Sequence, residues 1–275
     1  MQKITLKTHR DLNIPGLLRR PVNVWLPEQY EQNPSERFPV LYIQDGQMVF
    51  DHHNSKIGGW IIHKTISALA VEEKITPPIV VAISSTLNRL IEYLPGKALD
   101  YQQGIDSFLS YASERLDDTK REMSDKYVNW VVDTVKPTID QQYRTLPEME
   151  NTALMGSSMG GMVSLYLLCE FPQVFSKAAC LSTHWTILGD GMVAYLQDNL
   201  PDPGNHKLYF DYGDQGLDRD YGPWQAKVDA LLNQKGYREG KDFASWSFPG
   251  EDHTTQAWSA RIHIPLTFLF GTIDK

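Results

Sequence analysis

The stretch Asn151-Thr-Ala-Leu-Met-Gly-Ser-Ser-Met-Gly-Gly161, continued by Met162-Val-Ser-Leu-Tyr-Leu-Leu168, decides the fold. A short apolar run leads into Gly156-Ser157-Ser158-Met159-Gly160, and a long apolar run without proline follows. That order predicts a strand, a sharp turn and a buried helix, with Ser158 at the apex of a G-x-S-x-G nucleophile elbow. So tight a turn leaves no room for a Cβ two residues either side of the serine, which accounts for the glycines. Ser158 is thereby expected at a helix N-terminus, where free N–H groups and the helix dipole favour negative charge.

Working outward, the flanks alternate strand-like and helix-like patterns. Val22, Val24 and Leu26 alternate with Asn23 and Trp25, as in a half-buried strand. Phe38-Pro-Val-Leu-Tyr-Ile43 and Pro78-Ile-Val-Val-Ala-Ile83 are continuous apolar runs, the pattern of strands covered on both faces. Helical spacing is expected over residues 60–71 and over 127–143, where Pro137 should kink the helix. Beyond the elbow, strands are expected at 177–181, 207–212 and 244–248, and helices at 222–234 and 255–270. Such alternation implies right-handed crossovers and a mostly parallel central sheet with helices on both faces. No repeat or linker interrupts the chain, so residues 1–275 read as a single α/β domain. The weakly patterned stretches 88–118 and 183–205 are expected to be pocket-forming insertions.

Composition narrows the function classes. The net charge of −8, with no Lys/Arg cluster, argues against nucleic acid as a partner. No apolar stretch approaches the roughly 20 residues needed to span a bilayer, so no membrane partner is expected. The first ten residues alternate like a strand and lack the apolar core of a signal peptide. Only two cysteines occur, Cys169 and Cys180, both in apolar surroundings, and they read as free thiols. A cytoplasmic location is the expectation that follows.

A serine needs a base to become nucleophilic, and the base needs an orienting carboxylate. Among the histidines after the elbow, His253 alone falls in a loop, Pro249-Gly-Glu-Asp-His253, between the last strand and the last helix. The acid is expected in Gly213-Asp-Gln-Gly-Leu-Asp218-Arg-Asp-Tyr221, which offers Asp214, Asp218 and Asp220. Asp218 is preferred because the apolar Leu217 could anchor the loop and turn the next side chain inward. Asp214 is the second choice, and the aspartates not used should cap the loop or the following helix. For the oxyanion, one N–H should come from Met159, directly after the nucleophile, and the other from Gln47, after the permissive Gly46. Asp51-His52-His53 invites a metal reading, but no further ligand pair stands at helical spacing, so a polar loop is the preferred reading and no cofactor is expected. Trp60, Trp185 and Trp258, near predicted element ends, are candidate substrate platforms, and Trp185 is the one selected.

The motifs together resemble the esterase family of α/β-hydrolases. That family includes feruloyl and acetylxylan esterases of carbohydrate esterase family one, enterobactin-type trilactone esterases and mycolyltransferases. The resembling pieces are Leu41-Tyr-Ile-Gln-Asp-Gly-Gln-Met-Val-Phe-Asp51, Asn88-Arg-Leu-Ile-Glu-Tyr-Leu-Pro95, Pro137-Thr-Ile-Asp-Gln-Gln-Tyr-Arg144, Met155-Gly-Ser-Ser-Met-Gly-Gly161 and Phe248-Pro-Gly-Glu-Asp-His-Thr-Thr-Gln-Ala-Trp258. The resemblance implies Ser158 as nucleophile, His253 as base and the amides of Gln47 and Met159 as oxyanion donors. It also implies that Arg89 and Glu92 lie beside the site, with a structural ion pair as the equally weighted alternative. Many members carry the acid three residues after the glycine ending the preceding strand; here that position is Gly216, so Asp218 requires a loop two residues longer. The resulting expectation is a cofactor-independent serine carboxylesterase acting on a small-molecule ester, a sugar or small aryl ester first. A siderophore trilactone esterase, an acyltransferase and a catalytically silent binding module are the competing readings. The oligomeric state is left open.

Overall fold

Period-two alternation along the strands separates this protein's apolar residues into two layers. In β3 (Val40–Gln44), Val40 and Tyr42 belong to one buried cluster, while Leu41 and Ile43 belong to the other. In β5 (Thr152–Ser157), Leu154 joins the first cluster, and Ala153 and Met155 the second. Strands that bury both faces must be covered by helices on both sides. The computed structural model describes residues 6–50, 59–112 and 117–272.

The remaining strands are β1 (Lys7–His9), β2 (Val22–Trp25), β4 (Ile79–Ile83), β6 (Lys177–Leu181), β7 (Lys207–Gly213) and β8 (Phe243–Phe248). They form one eight-stranded sheet in the order β1-β2-β4-β3-β5-β6-β7-β8. β2 runs antiparallel to β1 and β4, and every pair from β4 onward is parallel. The first cluster lies under helices Met123–Trp130, Met159–Glu170, Asp190–Asn199 and Gly222–Gln234, and the second under Ile62–Val71, Thr255–Arg261 and His263–Phe270. Each fully buried Leu or Ile in these layers contributes about 1.5–3 kcal/mol relative to an exposed one. This is the α/β-hydrolase arrangement, and the connection direction reverses between β3 and β5, where open α/β sheets hold their ligands.

Two helices differ from expectation, each because of a proline. The helix expected over 127–143 is instead Met123–Trp130, a π-helical turn at Val131–Val135, and Lys136–Gln142. Pro137 has no N–H to donate and its ring crowds the carbonyl of the preceding turn, and the wider π turn gives it room. The helix expected over 255–270 divides at Ile262, which puts Pro265 in the first turn of the second piece, where a missing N–H costs nothing.

Both stretches expected as insertions leave the C-terminal ends of strands. The first, after β4, holds helices Arg89–Tyr93 and Gln102–Ala112, and the second, after β6, holds Asp190–Asn199. They touch at Gly104 and Gly191, where a Cβ on Gly191 would stand 2.1 Å from the Gly104 Cα. Among the described residues no helix is long and apolar enough to cross a membrane, and Cys169 and Cys180 are both buried and free.

Candidate active site

β5 and the helix Met159–Glu170 meet at Ser158, whose φ of 58° and ψ of −126° lie where only glycine is comfortable. Holding a serine there costs about 1–3 kcal/mol, so the surroundings must fix it. They do so through three backbone bonds. The Ser158 amide donates to the Leu181 carbonyl at 2.8 Å, and its carbonyl accepts from Met162 at 3.2 Å and His184 at 3.3 Å. Of the two glycines the sequence singled out, Gly156 is required and Gly160 is tightly fitted. A Cβ on Gly156 would lie 2.3 Å from the Gly160 carbonyl carbon, and one on Gly160 would lie 3.0 Å from Asp45 Oδ2.

β7 and β8 deliver the other two groups. His253 Nδ1 lies 2.5 Å from Oδ1 of Asp218, which has no exposed surface. An ionised carboxylate only accepts, so Nδ1 carries a proton, and in the neutral imidazole Nε2 keeps its lone pair. Oδ2 of Asp218 accepts from the Ser182 hydroxyl at 2.6 Å and from the Gly213 amide at 2.7 Å. Burial is the largest single influence on this carboxyl and would raise its pKa; the bonds from His253, Ser182 and Gly213 outweigh it and hold the group below the usual carboxylate value. The imidazole sits edge-on between Tyr221 at 5.8 Å and Trp258 at 4.9 Å.

The structure brings Asp218, and neither Asp214 nor Asp220, to His253. Asp214 is exposed and accepts from the Gly250 amide at 2.8 Å, so it fastens the two loops together. The expected cause of the inward turn is wrong, however: Leu217 anchors nothing and is 58% exposed. The turn is made by Gly216 at φ 56° and by the amides of Asp214 and Gln215, which both donate to the Glu251 carbonyl. The positive φ at Gly216 strains any side chain there, and a Cβ would stand 1.9 Å from the Asp252 carboxylate, which would have to move aside.

On the opposite wall, β3 runs into a 3-10 turn, Gly46–Met48. A Cβ on Gly46 would stand 2.5 Å from the Ala82 carbonyl carbon, so only glycine lets this turn lie against β4. Asp45, at φ 55°, is gripped by Arg89 through two bonds of 2.7 and 2.8 Å, and its amide donates to the Tyr93 hydroxyl. The Gln47 side chain donates to Ser85 Oγ at 2.7 Å and accepts from the Ser85 amide at 3.0 Å. The backbone amides of Gln47 and Met159 donate to no acceptor among the described residues.

Ser158, His253, Gln47, Met48, Arg89 and Trp258 line one cleft of about 560 Å³. Two residues expected to touch substrate are not in its wall. Glu92 is fully buried and held by Arg20 at 2.7 and 2.8 Å, an ion pair stacked against Tyr127 and Trp130. Trp185 is 1% exposed, donates to Gln225 and packs on Phe210, which makes it core. The stretch 183–205 supplies no residue to this lining, and 88–118 supplies Arg89. Trp60 is likewise buried, edge-on to Trp258.

His184, which sequence reasoning passed over, lies behind the elbow with Nδ1 bonded to the Tyr221 hydroxyl. Burial first, then the neighbouring His253 and Arg89, push its pKa down to about 4. Asp51, His52 and His53 fall outside the described residues. Among the described residues no group of three or more His, Cys, Asp or Glu side chains could hold a metal.

The profile of the family described as "Putative esterase" matches residues 18–263. The uncharacterized protein YbbA of Bacillus subtilis (strain 168) is 22% identical over 227 residues, covering 80% of each chain. The endo-1,4-beta-xylanase/feruloyl esterase of Xylanibacter ruminicola is 26% identical over 196 residues, 68% of this chain but 22% of that protein. Among solved structures, the enterobactin esterase FES from Shigella flexneri, crystallised with enterobactin, superposes with a TM-score of 0.72 at 14% identity, over 98% of this chain and 59% of that one. A match over nearly the whole length, on a sheet of this order and with the serine elbow intact, leads to one assignment. The chain belongs to the esterase family of α/β-hydrolases, enzymes that act on carboxylic ester bonds.

Proposed function

We propose that this esterase works through a Ser158-His253-Asp218 triad and an acyl-enzyme. Ser158 Oγ attacks the ester carbonyl while His253 Nε2 takes its proton. Asp218 fixes the imidazole tautomer and stabilises the imidazolium. The tetrahedral oxyanion forms against the amides of Met159 and Gln47, each such donor being worth about 3–4 kcal/mol of barrier. Collapse breaks the ester C–O bond, and His253 returns the proton to the leaving alcohol. A water, deprotonated in turn by His253, attacks the acyl carbon and releases the acid and Ser158.

The observation that carries this reading is the 2.5 Å bond between His253 and the buried Asp218, in a cleft that also holds the elbow serine. A small aryl or sugar ester is the favoured substrate. The cleft volume lies within the usual 300–1,000 Å³ range of small-molecule sites, and the relative from Xylanibacter ruminicola carries a feruloyl esterase in its name. Two buried free thiols suit a reducing compartment and support a cytoplasmic location.

A fluorophosphonate probe should label the wild-type protein and fail to label Ser158→Ala; equal labelling of both would exclude Ser158 as the nucleophile. A panel of methyl ferulate, acetylated xylo-oligosaccharide and a catecholate trilactone, ranked by kcat/KM, then tests the substrate. A trilactone leading by more than tenfold would replace the aryl or sugar ester.

A further inference from the structure

Ser182 follows β6 in a left-handed conformation, φ 43°, with no exposed surface. Its hydroxyl touches three groups: Asp218 Oδ2 at 2.6 Å, Trp258 Nε1 at 2.9 Å and an Arg261 terminal nitrogen at 3.2 Å. Indole and guanidinium nitrogens only donate, so they occupy both lone pairs of the hydroxyl oxygen. One direction remains for the hydroxyl proton, toward the Asp218 carboxylate.

The groups behind Ser182 are charged and buried. Arg261 is 4% exposed, and the nitrogen that reaches Ser182 also donates to Asp211 at 2.9 Å. Its other two nitrogens are buried without a partner among the described residues, and its guanidinium lies over Phe248 at 4.8 Å. Asp211 in turn accepts from Tyr209 at 3.1 Å. A buried guanidinium left two-thirds unsatisfied is expensive, and its pairing with Asp211 offsets that only in part. The residue just after β6, strand β7 and the helix after the His253 loop each contribute a member.

We propose that Ser182, polarised by Arg261 and Trp258, is a positioning residue for the esterase reaction: its hydroxyl fixes Asp218 in the ionised form and in the plane that holds His253. The proposal rests on the triad reading above. Among the described residues, His184 and Tyr221 face Asp218 and His253, and Asp252 accepts from the His253 amide, while Arg261 and Asp211 stand behind Ser182. Ser182→Gly suits the test because glycine adopts a φ of 43° freely, so losing the hydroxyl adds no backbone strain. Ser182→Cys, which keeps the shape with a weak donor, is the second variant should the first fail to fold.

For the folded variant, kcat on p-nitrophenyl acetate should fall about ten- to a hundredfold with KM within about twofold, the effect of one lost hydrogen bond to a charged group. In the phosphonylated enzyme, the downfield proton resonance of the His253 Nδ1–H should move upfield or broaden. The acid limb of the kcat/KM profile should also move to lower pH, as the imidazolium loses support. Wild-type kcat with an unmoved resonance would overturn the proposal. Activity lost only in proportion to unfolded protein, with the resonance intact in the remainder, would overturn it too. The triad reading fails separately, if Ser158→Ala stays active.

Discussion

Replacing Asp218 by asparagine changes one atom, and the structure dictates where that atom goes. The Oδ2 position faces two donors, the Ser182 hydroxyl and the Gly213 amide, so the new side chain must present its carbonyl oxygen there. Its NH2 group then faces His253 at the former Oδ1 position. A donor facing Nδ1 selects the tautomer with the proton on Nε2, the nitrogen that should accept the serine proton. The base is therefore blocked with hardly any shift in geometry. In a serine protease triad the same exchange lowers kcat about ten-thousandfold, or roughly 5.4 kcal/mol at 1.36 kcal/mol per decade. We expect kcat for Asp218→Asn to fall about a thousand- to ten-thousandfold near neutral pH. Asp214→Asn keeps its acceptor toward Gly250 and should stay within about fivefold. Stopped-flow hydrolysis of p-nitrophenyl acetate, normalised to fluorophosphonate-titratable sites, measures both. If Asp214→Asn lost more than Asp218→Asn, the hydrogen-bond assignment behind this reasoning would be refuted.

Ser158→Ala should cost several orders of magnitude in kcat while moving the thermal midpoint by no more than a few degrees; retention of a tenth of the wild-type rate would remove Ser158 from the chemistry. Hydrolysis should survive excess EDTA, and an EDTA-sensitive activity restored by zinc would revive a metal role for Asp51, His52 and His53. His184 supplies a test of stability against pH. Its folded pKa, pushed down to about 4 from 6.5, means that the unfolded chain binds a proton between those values and the folded chain does not. Stability should thus fall as pH drops from 6.5 toward 4, by roughly 2–3 kcal/mol from this group alone at the lower end. Urea unfolding of wild type and His184→Gln should trace curves whose separation changes across that window, and parallel curves would contradict the assigned burial.

The elbow and the central strands were legible because their signals are local: continuous apolar runs of five or six residues, and glycines at fixed offsets from a serine. The loop that carries Asp218 was legible only in part. Its direction depends on Gly213 and the next two amides meeting the carbonyl of Glu251, nearly 40 residues away, and no local pattern reports that contact. Glu92 and Trp185 failed as substrate contacts for the same reason. Arg20, the partner of Glu92, stands 72 residues earlier, and a tryptophan at an element end reads alike whether it faces a cleft or the core. Ser182 gave no signal at all, since an isolated serine after a strand looks like any loop residue until Trp258 and Arg261 close over it.

The amides of Gln47 and Met159, free of any acceptor among the described residues, belong to the peptide backbone. No exchange of side chain deletes them, short of proline. An alanine scan of this protein would therefore pass over both groups proposed to stabilise the oxyanion, and would credit the whole reaction to three side chains from the last four strands. Semisynthesis that swaps the peptide nitrogen of either residue for an ester oxygen would expose the omission. For enzymes built this way, tolerance of substitution at a position says nothing of whether the chemistry depends on it.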